Sequence, residues 1–386
     1  MNSENMTLDE GQKWLREAIE ALHSKNSDGS RTAALKAIEM GEDGAAVWGV
    51  LALACRDQGD FDMAQKAADR SIELEPRNVR AHIVKADAFY AASDVRAAAA
   101  FYRHALAMSA PQPGMPEELR FDLERAKIRS GELRESFGAH LSLALGDLLS
   151  DQACTPRMQE ALDLLLGNKR IFYSEPRHFM FPRLPSYDFF PSDQLPWLKE
   201  LGSKTSHITA ELEALLKSGS AFLPYVEANS DRPTFDAHGM EGNFDWGALY
   251  LWQNGEPVLE NQEACPITTE AISSLPLVFS GRRCPNVLFS RLKAGASIPP
   301  HNGMINTRLI GHLPLVIPDR CGFRVGSEVR EWVLGEPFLF DDTVEHEAWN
   351  KSDQDRVILI FEVWRPELTK IEKAFVTRML EAVDTY

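Results

Sequence analysis

The sequence predicts an α+β multidomain protein, with a helical domain at residues 1–170 and a β-rich barrel or sandwich at residues 171–386. Residues 1–110 are rich in alanine and follow a helical period, which predicts packed helices. From residue 248 onward, short apolar or alternating segments are separated by turn residues about every eight to twelve positions, which is typical of a sandwich or barrel. The length of 386 residues also exceeds what one ordinary core sustains.

The helical region repeats itself, because residues 45–78 align with residues 79–112 without a gap. Small residues recur at equivalent positions where two helices would cross: Ala52 with Ala86, and Ala64 with Ala98. Residues 11–44 form a looser copy. The pattern resembles the tetratricopeptide repeat, in which each unit is a pair of helices. This resemblance implies either a concave surface that holds a peptide or protein partner, or a helical cap that packs on the other domain.

The rest of the chain predicts further elements in order. Residues 116–168 continue the helical period, whereas residues 176–200 are full of proline and aromatic residues and predict an irregular entry into a second fold. A helix is predicted at 204–218, before the β-rich region, and another at 370–383, near the end of the chain.

Composition excludes some classes of partner. The formal net charge of −16 repels phosphate backbones, so we expect no nucleic acid partner. The first residues lack the basic start and apolar core of a signal peptide, and no apolar run approaches membrane-spanning length. The five cysteines are scattered, without a CxxC pair. We therefore expect a cytoplasmic protein with reduced thiols and no membrane partner.

Two apolar strands carry cations that need partners. In TRLIGHLPLVI, alternation places Arg308, Ile310 and His312 on one face. In RVILIFEVW, Arg356 shares a face with Glu362. A buried, unpaired guanidinium is very costly, so each arginine predicts either an ion pair or a small anionic ligand. For Arg356 the alternatives are an ion pair with Glu362 and the clamping of a dianionic molecule.

Two further histidines, His301 and His346, lie at strand edges beside turns. Non-haem iron sites commonly use two histidines and one carboxylate and leave positions open for ligands. If that carboxylate stood two residues after His301, the position would be Gly303, which has no side chain to ligate. The alternatives are a site with two histidines only, which we favour, or a carboxylate supplied from elsewhere: Asp341, Asp342 or Glu345.

Four stretches together resemble the aspartyl/asparaginyl β-hydroxylase family, whose members are Fe(II)- and 2-oxoglutarate-dependent dioxygenases. The resemblance runs from about Phe181 to Leu368, and its motifs are PPHNGMINTRLIGHLPLVIP, CGFRVG, FDDTVEHEAWN and RVILIFEVWRPEL. It implies a double-stranded β-helix, a jelly-roll or cupin-like barrel. Animal members also carry helical repeats before this domain. The family is known for iron held by two histidines without the carboxylate, as Gly303 requires.

The resemblance also implies roles for individual residues. His301 and His346 would bind iron, and together with Arg356 they would form the catalytic set. The carboxylates of 2-oxoglutarate would be held by Arg356, His312 and Ser290. Trp252 would line that pocket, and Arg308 would lie near the cosubstrate or the substrate.

The implied reaction is hydroxylation of a β-carbon of an aspartyl or asparaginyl type in a peptide or protein. It would consume O2 and release succinate and CO2. One departure concerns the substrate: animal members have a second arginine, which contacts the acidic side chain of the substrate, where this chain has Ile310. Asparaginyl, other or small-molecule substrates therefore stay open. Further alternatives are a catalytically silent barrel in an interaction scaffold and, less favoured, halogenation in the space left by Gly303.

Overall fold

The structure is a computed structural model that describes residues 3–109, 114–150, 154–191, 195–226, 239–281 and 283–386, with side chains from residue 10 onward. The chain forms two compact units, Met1–Leu166 and Gly167–Tyr386. Across these described ranges, no helix is both long enough and apolar enough to cross a lipid bilayer.

The first unit consists of helices that pack as successive antiparallel pairs. Its helices are α1 (Ser3–His23), α2 (Ser27–Glu39), α3 (Ala45–Asp57), α4 (Phe61–Leu74), α5 (Val79–Ala91), α6 (Val95–Met108), α7 (Glu117–Ser150) and α8 (Pro156–Leu166). The main contacts join α1 to α2, α3 to α4 and α5 to α6. The predicted tetratricopeptide-like repeat is therefore confirmed.

Small residues and repeated caps explain why these pairs form. Ala52, Ala64, Ala86 and Ala98 are fully buried, and the lack of a bulky side chain lets neighbouring helices approach closely. Equivalent aspartates cap the second helix of two units, because Asp60 accepts a hydrogen bond from the Met63 amide and Asp94 from the Ala97 amide. The repeat thus appears in the capping residues as well as in the core.

The second unit contains two antiparallel sheets flanked by short helices. Its strands are β1 (Leu223–Pro224), β2 (Trp246–Gln253), β3 (Glu256–Pro257), β4 (Val287–Leu292), β5 (Ser297–His301), β6 (Arg308–Val316), β7 (Cys321–Val325), β8 (Glu328–Arg330), β9 (Phe338–Phe340), β10 (His346–Asn350) and β11 (Arg356–Trp364). Its helices are α9 (Pro196–Ser203), α10 (Thr205–Lys217), α11 (Leu259–Ala264), α12 (Pro266–Ser273) and α13 (Lys370–Asp384).

The larger sheet has the order β1-β2-β4-β11-β6-β9, with β3 beside β2, and the smaller sheet has the order β5-β10-β7-β8. Strands that are distant in sequence lie side by side, as in a double-stranded β-helix. The predicted jelly-roll is therefore confirmed. The helix predicted at 204–218 corresponds to α10, and α9 precedes it directly.

Alternation gives the larger sheet two different apolar faces. On β11, Val357, Leu359 and Phe361 belong to a core that also contains residues of α9, α10 and α12, whereas Ile358 and Ile360 belong to the core between the two sheets. Successive side chains of a strand point to opposite faces. The face of β11 that begins with Arg356 therefore looks into the space between the sheets.

One glycine in the larger sheet is required by a close approach. Gly311 on β6 is paired with Phe361 on β11, and a Cβ atom at Gly311 would lie 2.1 Å from the Phe361 ring. Phe361 is fully buried, so its ring has little room to move aside.

We expect Gly311→Ala to lower the free energy of unfolding of the second unit by about 1–3 kcal/mol, as overpacking of a core does. Urea unfolding followed by amide exchange in β6 and β11 measures this change. Gly146→Ala is the matched control, because Gly146 lies inside helix α7 with open space around its position, and its replacement should stabilise slightly. Adding Phe361→Leu to Gly311→Ala should recover part of the loss, and purely additive losses would contradict the explanation.

Candidate active site

Two histidines meet between the sheets because their strands are in register. His301 ends β5, His346 begins β10, and the two residues are directly paired across these antiparallel strands. Their ring centroids are 4.1 Å apart, with an angle of 52° between the ring planes. Directly opposed residues of an antiparallel pair place their side chains on the same face. The structure therefore brings together the two residues predicted to bind a metal.

Backbone carbonyls fix the tautomer of both rings. The Nδ1 atom of His301 lies 2.8 Å from the carbonyl oxygen of Pro299, and Nδ1 of His346 lies 3.0 Å from that of Val344. A carbonyl oxygen can only accept, so each Nδ1 carries the proton and donates it. The lone pair of each ring then resides on Nε2, the atom through which a neutral imidazole ligates a metal.

The site also keeps both rings uncharged at neutral pH. Burial lowers the pKa of His301 to about 3, with a further contribution from the neighbouring His346. Burial likewise lowers the pKa of His346 to about 4. A metal therefore need not displace a proton from either ring, which makes both residues suitable ligands under physiological conditions.

The three carboxylates proposed from the sequence occupy different places. Asp341 is paired with Arg365 at 2.8 Å, and Glu345 is paired with Arg324 at 2.9 Å. Asp342 lines the cavity, and a Cβ atom at Gly303 would lie 2.0 Å from its Oδ2 atom. The space beside Gly303 is thus filled by the Asp342 carboxylate. Within the described ranges, no group of three or more histidine, cysteine or acidic side chains could together hold a metal ion.

Arg356 is a buried cation that lines the cavity. Its side chain is only 1% exposed, and its Nε and Nη1 atoms have no hydrogen-bond partner among the described residues. The guanidinium lies 4.7 Å from the ring centroid of Trp332, and burial lowers its pKa to about 10, so it stays charged at neutral pH. Such a group is costly unless an anion binds it.

Glu362, the ion-pair partner that the sequence offered to Arg356, is bound to another residue. It pairs with Arg308 on the adjacent strand, and Arg308 also contacts Asp342 at 3.2 Å. Arg308 lines the cavity, and two carboxylates already neutralise its charge. This arrangement leaves Arg356 as the buried cation that is available to a ligand.

Two polar residues line the same cavity as Arg356. Ser290 accepts a hydrogen bond of 3.1 Å from Trp246 Nε1, which leaves its hydroxyl proton free to donate. His312 Nδ1 accepts a hydrogen bond of 3.4 Å from Trp332 Nε1, so Nε2 carries the proton of this ring. Burial and then the charge of Arg356 lower the pKa of His312 well below its usual range, which keeps it neutral. Both residues can donate to an anion.

The prediction that Trp252 lines the cavity is wrong. Trp252 packs in the core shared with the helices, and it does not line the cavity. Simple alternation along β2 would put it on the face of Trp246, but the register of β2 on β4 shifts between Tyr250 and Trp252. This irregularity turns Trp252 to the other face. The cavity wall instead contains Trp246, stacked on Tyr225 at 4.0 Å, and the chain shows no local signal that favours Trp246 over Trp252.

These residues enclose one cavity of about 260 Å³, which is large enough for a small organic ligand. Its polar lining consists mainly of Arg177, Ser290, His301, Arg308, His312, Asp342, His346, Arg356 and Glu362. The sequence analysis did not single out Arg177, which lies in the irregular proline-rich segment. Neutral imidazoles at one place and an unpaired guanidinium at another can hold a metal ion and an anion together.

A comparison with known protein families finds a match within the second unit. The sequence pattern of the family described as aspartyl/asparaginyl beta-hydroxylase matches residues 203–366, which lie within the second unit. The matched range contains both paired histidines, Arg356, Ser290 and His312. Arg177 lies outside it.

Three relatives show how far the similarity extends. An ornithine lipid ester-linked acyl 2-hydroxylase of Rhizobium tropici is 28% identical over 51% of this chain and 67% of its own length. The human aspartyl/asparaginyl beta-hydroxylase is 38% identical over 32% of this chain and 16% of its own. Aspartate beta-hydroxylase domain-containing protein 2 of Xenopus tropicalis is 29% identical over 53% of this chain and 55% of its own. The chain thus spans about half or less of the length of two of them.

We expect His301→Ala and His346→Ala each to weaken binding of Co(II), a divalent metal ion with a visible spectrum, by at least about 100-fold, which exceeds the cost of losing only an orienting partner. Optical titration with Co(II) measures the affinity. His178→Ala serves as the control, because His178 is exposed and does not line the cavity. Unchanged Co(II) affinity in either cavity variant would refute the assignment of that ligand.

The buried histidines should make the metal-free protein sensitive to acid. Their pKa values are about 3 and about 4 in the folded protein, below the ordinary value of 6.5, so the unfolded chain binds more protons below that pH. The stabilisation is present above pH 6.5 and is lost as the pH falls toward 4, by up to about 1.4 kcal/mol per pH unit for each ring. In the variant with both His301→Gln and His346→Gln, the free energy of unfolding measured in urea should fall less steeply between pH 6.5 and 4. A slope equal to that of the wild type would contradict this origin.

Proposed function

We propose that the chain is an Fe(II)- and 2-oxoglutarate-dependent dioxygenase that hydroxylates its substrate, as the match of residues 203–366 to the aspartyl/asparaginyl β-hydroxylase family supports. The observation that carries this proposal is the combination within one cavity of two neutral imidazoles and one unpaired, buried guanidinium. If the two histidines were purely structural, the buried guanidinium of Arg356 would have no ligand to offset the cost of its burial.

The donor set of the cavity fits both groups. Two imidazoles with their lone pairs on Nε2 suit ferrous iron. The Arg356 guanidinium, whose Nε and Nη1 atoms have no hydrogen-bond partner among the described residues, suits a carboxylate, because charge-assisted N–H donors bind carboxylates strongly. When bound, the iron and 2-oxoglutarate supply the activation of O2 and the oxidising power for hydroxylation, with succinate and CO2 as co-products.

The residues of this chain then place and protect the reactants. His301 and His346 would hold the metal, and Arg356, with donors from Ser290 and His312, would hold a carboxylate of 2-oxoglutarate. The apolar walls of the cavity exclude water, which strengthens these charged contacts. They include Leu288, Ile298, Phe323, Phe340, Ile358 and Ile360.

We propose that the substrate is a peptide or protein that is hydroxylated at a β-carbon of the aspartyl or asparaginyl type, and that the helical repeats engage it. The paired helices α1–α6 provide the kind of surface on which such repeats bind extended segments. A small amphipathic substrate is the second candidate. Ile310 favours it, because this residue gives the cavity an apolar wall, and one relative is an acyl 2-hydroxylase of a lipid.

The decisive experiment measures O2-dependent formation of succinate from 2-oxoglutarate with ferrous iron, in the presence of either a proteome digest or a lipid extract. Mass spectrometry then identifies the product that has gained one oxygen atom. An oxidised product in the proteome digest identifies a peptide or protein substrate, and one in the lipid extract identifies a small-molecule substrate. Absence of both succinate formation and 2-oxoglutarate binding would favour an interaction scaffold.

We expect Arg356→Ala to weaken 2-oxoglutarate binding by about 100-fold, the cost of losing a charge-assisted pair, while Co(II) affinity changes little. The 2-oxoglutarate affinity of Arg356→Lys should fall between those of the wild type and of Arg356→Ala, because a lysine keeps the charge but loses the planar donor geometry of the guanidinium. Calorimetric titration of 2-oxoglutarate into the Co(II)-loaded protein measures the effect. Equal weakening of metal and 2-oxoglutarate would indicate damage to the fold and not loss of the clamp.

A further inference from the structure

Arg177 is fixed beside the chain that follows His301. Its amide donates a hydrogen bond of 2.9 Å to the carbonyl oxygen of Gly303, and the amide of His178 donates one of 2.9 Å to that of Met304. Just beyond, Phe179 pairs with Ile305 in a parallel bridge. The backbone at residue 177 is therefore held against the edge of the site. The Arg177 side chain lines the cavity, and the residue is exposed, so it lies at the mouth.

Arg177 and the two paired histidines line the same cavity. The amide of Arg177 is bonded to the carbonyl of Gly303, which lies two residues after His301. Arg177 is thus close to the place where a metal would bind.

The three arginines that line the cavity differ in what they can still bind. Arg308 is neutralised by Glu362 and Asp342. Arg356 is deeply buried and is assigned above to the cosubstrate. Arg177 has no acidic partner within ion-pair distance in the part of the chain that the structure describes. It is therefore the cavity cation that an incoming substrate can meet first.

Apolar side chains also line this cavity, among them Met304, Val226, Trp246 and Ile310. A ligand with one anionic group could pair with Arg177, whereas one with several charges would have to desolvate the others against this wall. The lining matches a substrate with one anionic group at the mouth and a less polar segment that extends inward.

We propose that Arg177 is a specificity-determining residue that pairs with an anionic group of the substrate close to the carbon that is hydroxylated. This assignment rests on the proposed function of the site. Arg177 supplies a cation for substrate recognition. Ile310 has no charge, and the charge of Arg308 is already paired. The aspartate side chain is the simplest group of this kind in a peptide.

The test measures binding without turnover. The full chain is loaded with Mn(II), which replaces iron, and with 2-oxoglutarate in the absence of O2. Two capped tripeptides are then titrated separately, one with a central aspartate and one with a central asparagine. Paramagnetic relaxation of the β-methylene protons of each peptide reports how closely and how tightly it binds. Relaxation of water and of 2-oxoglutarate protons, recorded before the peptides are added, tests the metal and cosubstrate sites separately.

We expect the aspartate peptide to bind about tenfold more tightly than the asparagine peptide, as one partly exposed, charge-assisted contact provides. Arg177→Ala should abolish this preference, Arg177→Lys should keep part of it, and Arg177→Glu should reverse it. Binding of Mn(II) and 2-oxoglutarate should not weaken in Arg177→Ala. Arg183→Ala is the matched control, because it removes an exposed arginine of the same segment that does not line the cavity.

Three results would overturn the proposal: equal binding of the two peptides to the wild type, no relaxation of either peptide, or an aspartate preference that survives in Arg177→Ala. If Arg177→Ala instead weakens 2-oxoglutarate, this arginine serves the cosubstrate and the assignment to the substrate is wrong. Failure of Mn(II) or 2-oxoglutarate to bind would be seen before any peptide is added. That result would count against the proposed function itself.

Discussion

The alternation of side chains across the larger sheet is the constraint on which the site depends. On β11, one set of residues packs against helices and the other faces the smaller sheet. The second set includes Arg356, Ile358, Ile360 and Glu362, all of which line the cavity. A charged residue can occupy a central strand only if its face looks into a space that provides a partner. The sheet thus determines that the cations converge on the cavity.

Charge pairing then divides the roles of these cations. The cavity contains three arginines and two acidic residues, and both acids are paired with Arg308. Among the described residues, neither Arg356 inside the cavity nor Arg177 at its mouth has an acidic partner within ion-pair distance. Two available cations at different depths suit two anionic ligands that bind at the same time.

The two histidines complete this arrangement through backbone geometry. Each Nδ1 is bound by a carbonyl two residues earlier in its own strand segment, so the chain itself sets the orientation of each ring. The pairing of β5 with β10 then sets the distance between the rings. Gly303 is required by the same crowding, because Asp342 fills the space that a side chain would need. A side chain at position 303 would therefore clash with the packing of the site.

The sequence by itself determined the features that depend on neighbours along the chain. The helical repeats, the strand-rich second unit and the shared face of Arg308, Ile310 and His312 follow from periodicity, which is a local property. Only the tertiary structure decided which acid pairs with which arginine, which carboxylate lies beside Gly303, and that Trp246 lines the cavity while Trp252 does not. These outcomes depend on strand register, on one irregularity in β2 and on contacts between distant segments, including the one that holds Arg177. Register joins residues that are far apart in sequence, so the pattern along one strand does not reveal which residue lies opposite each of its own.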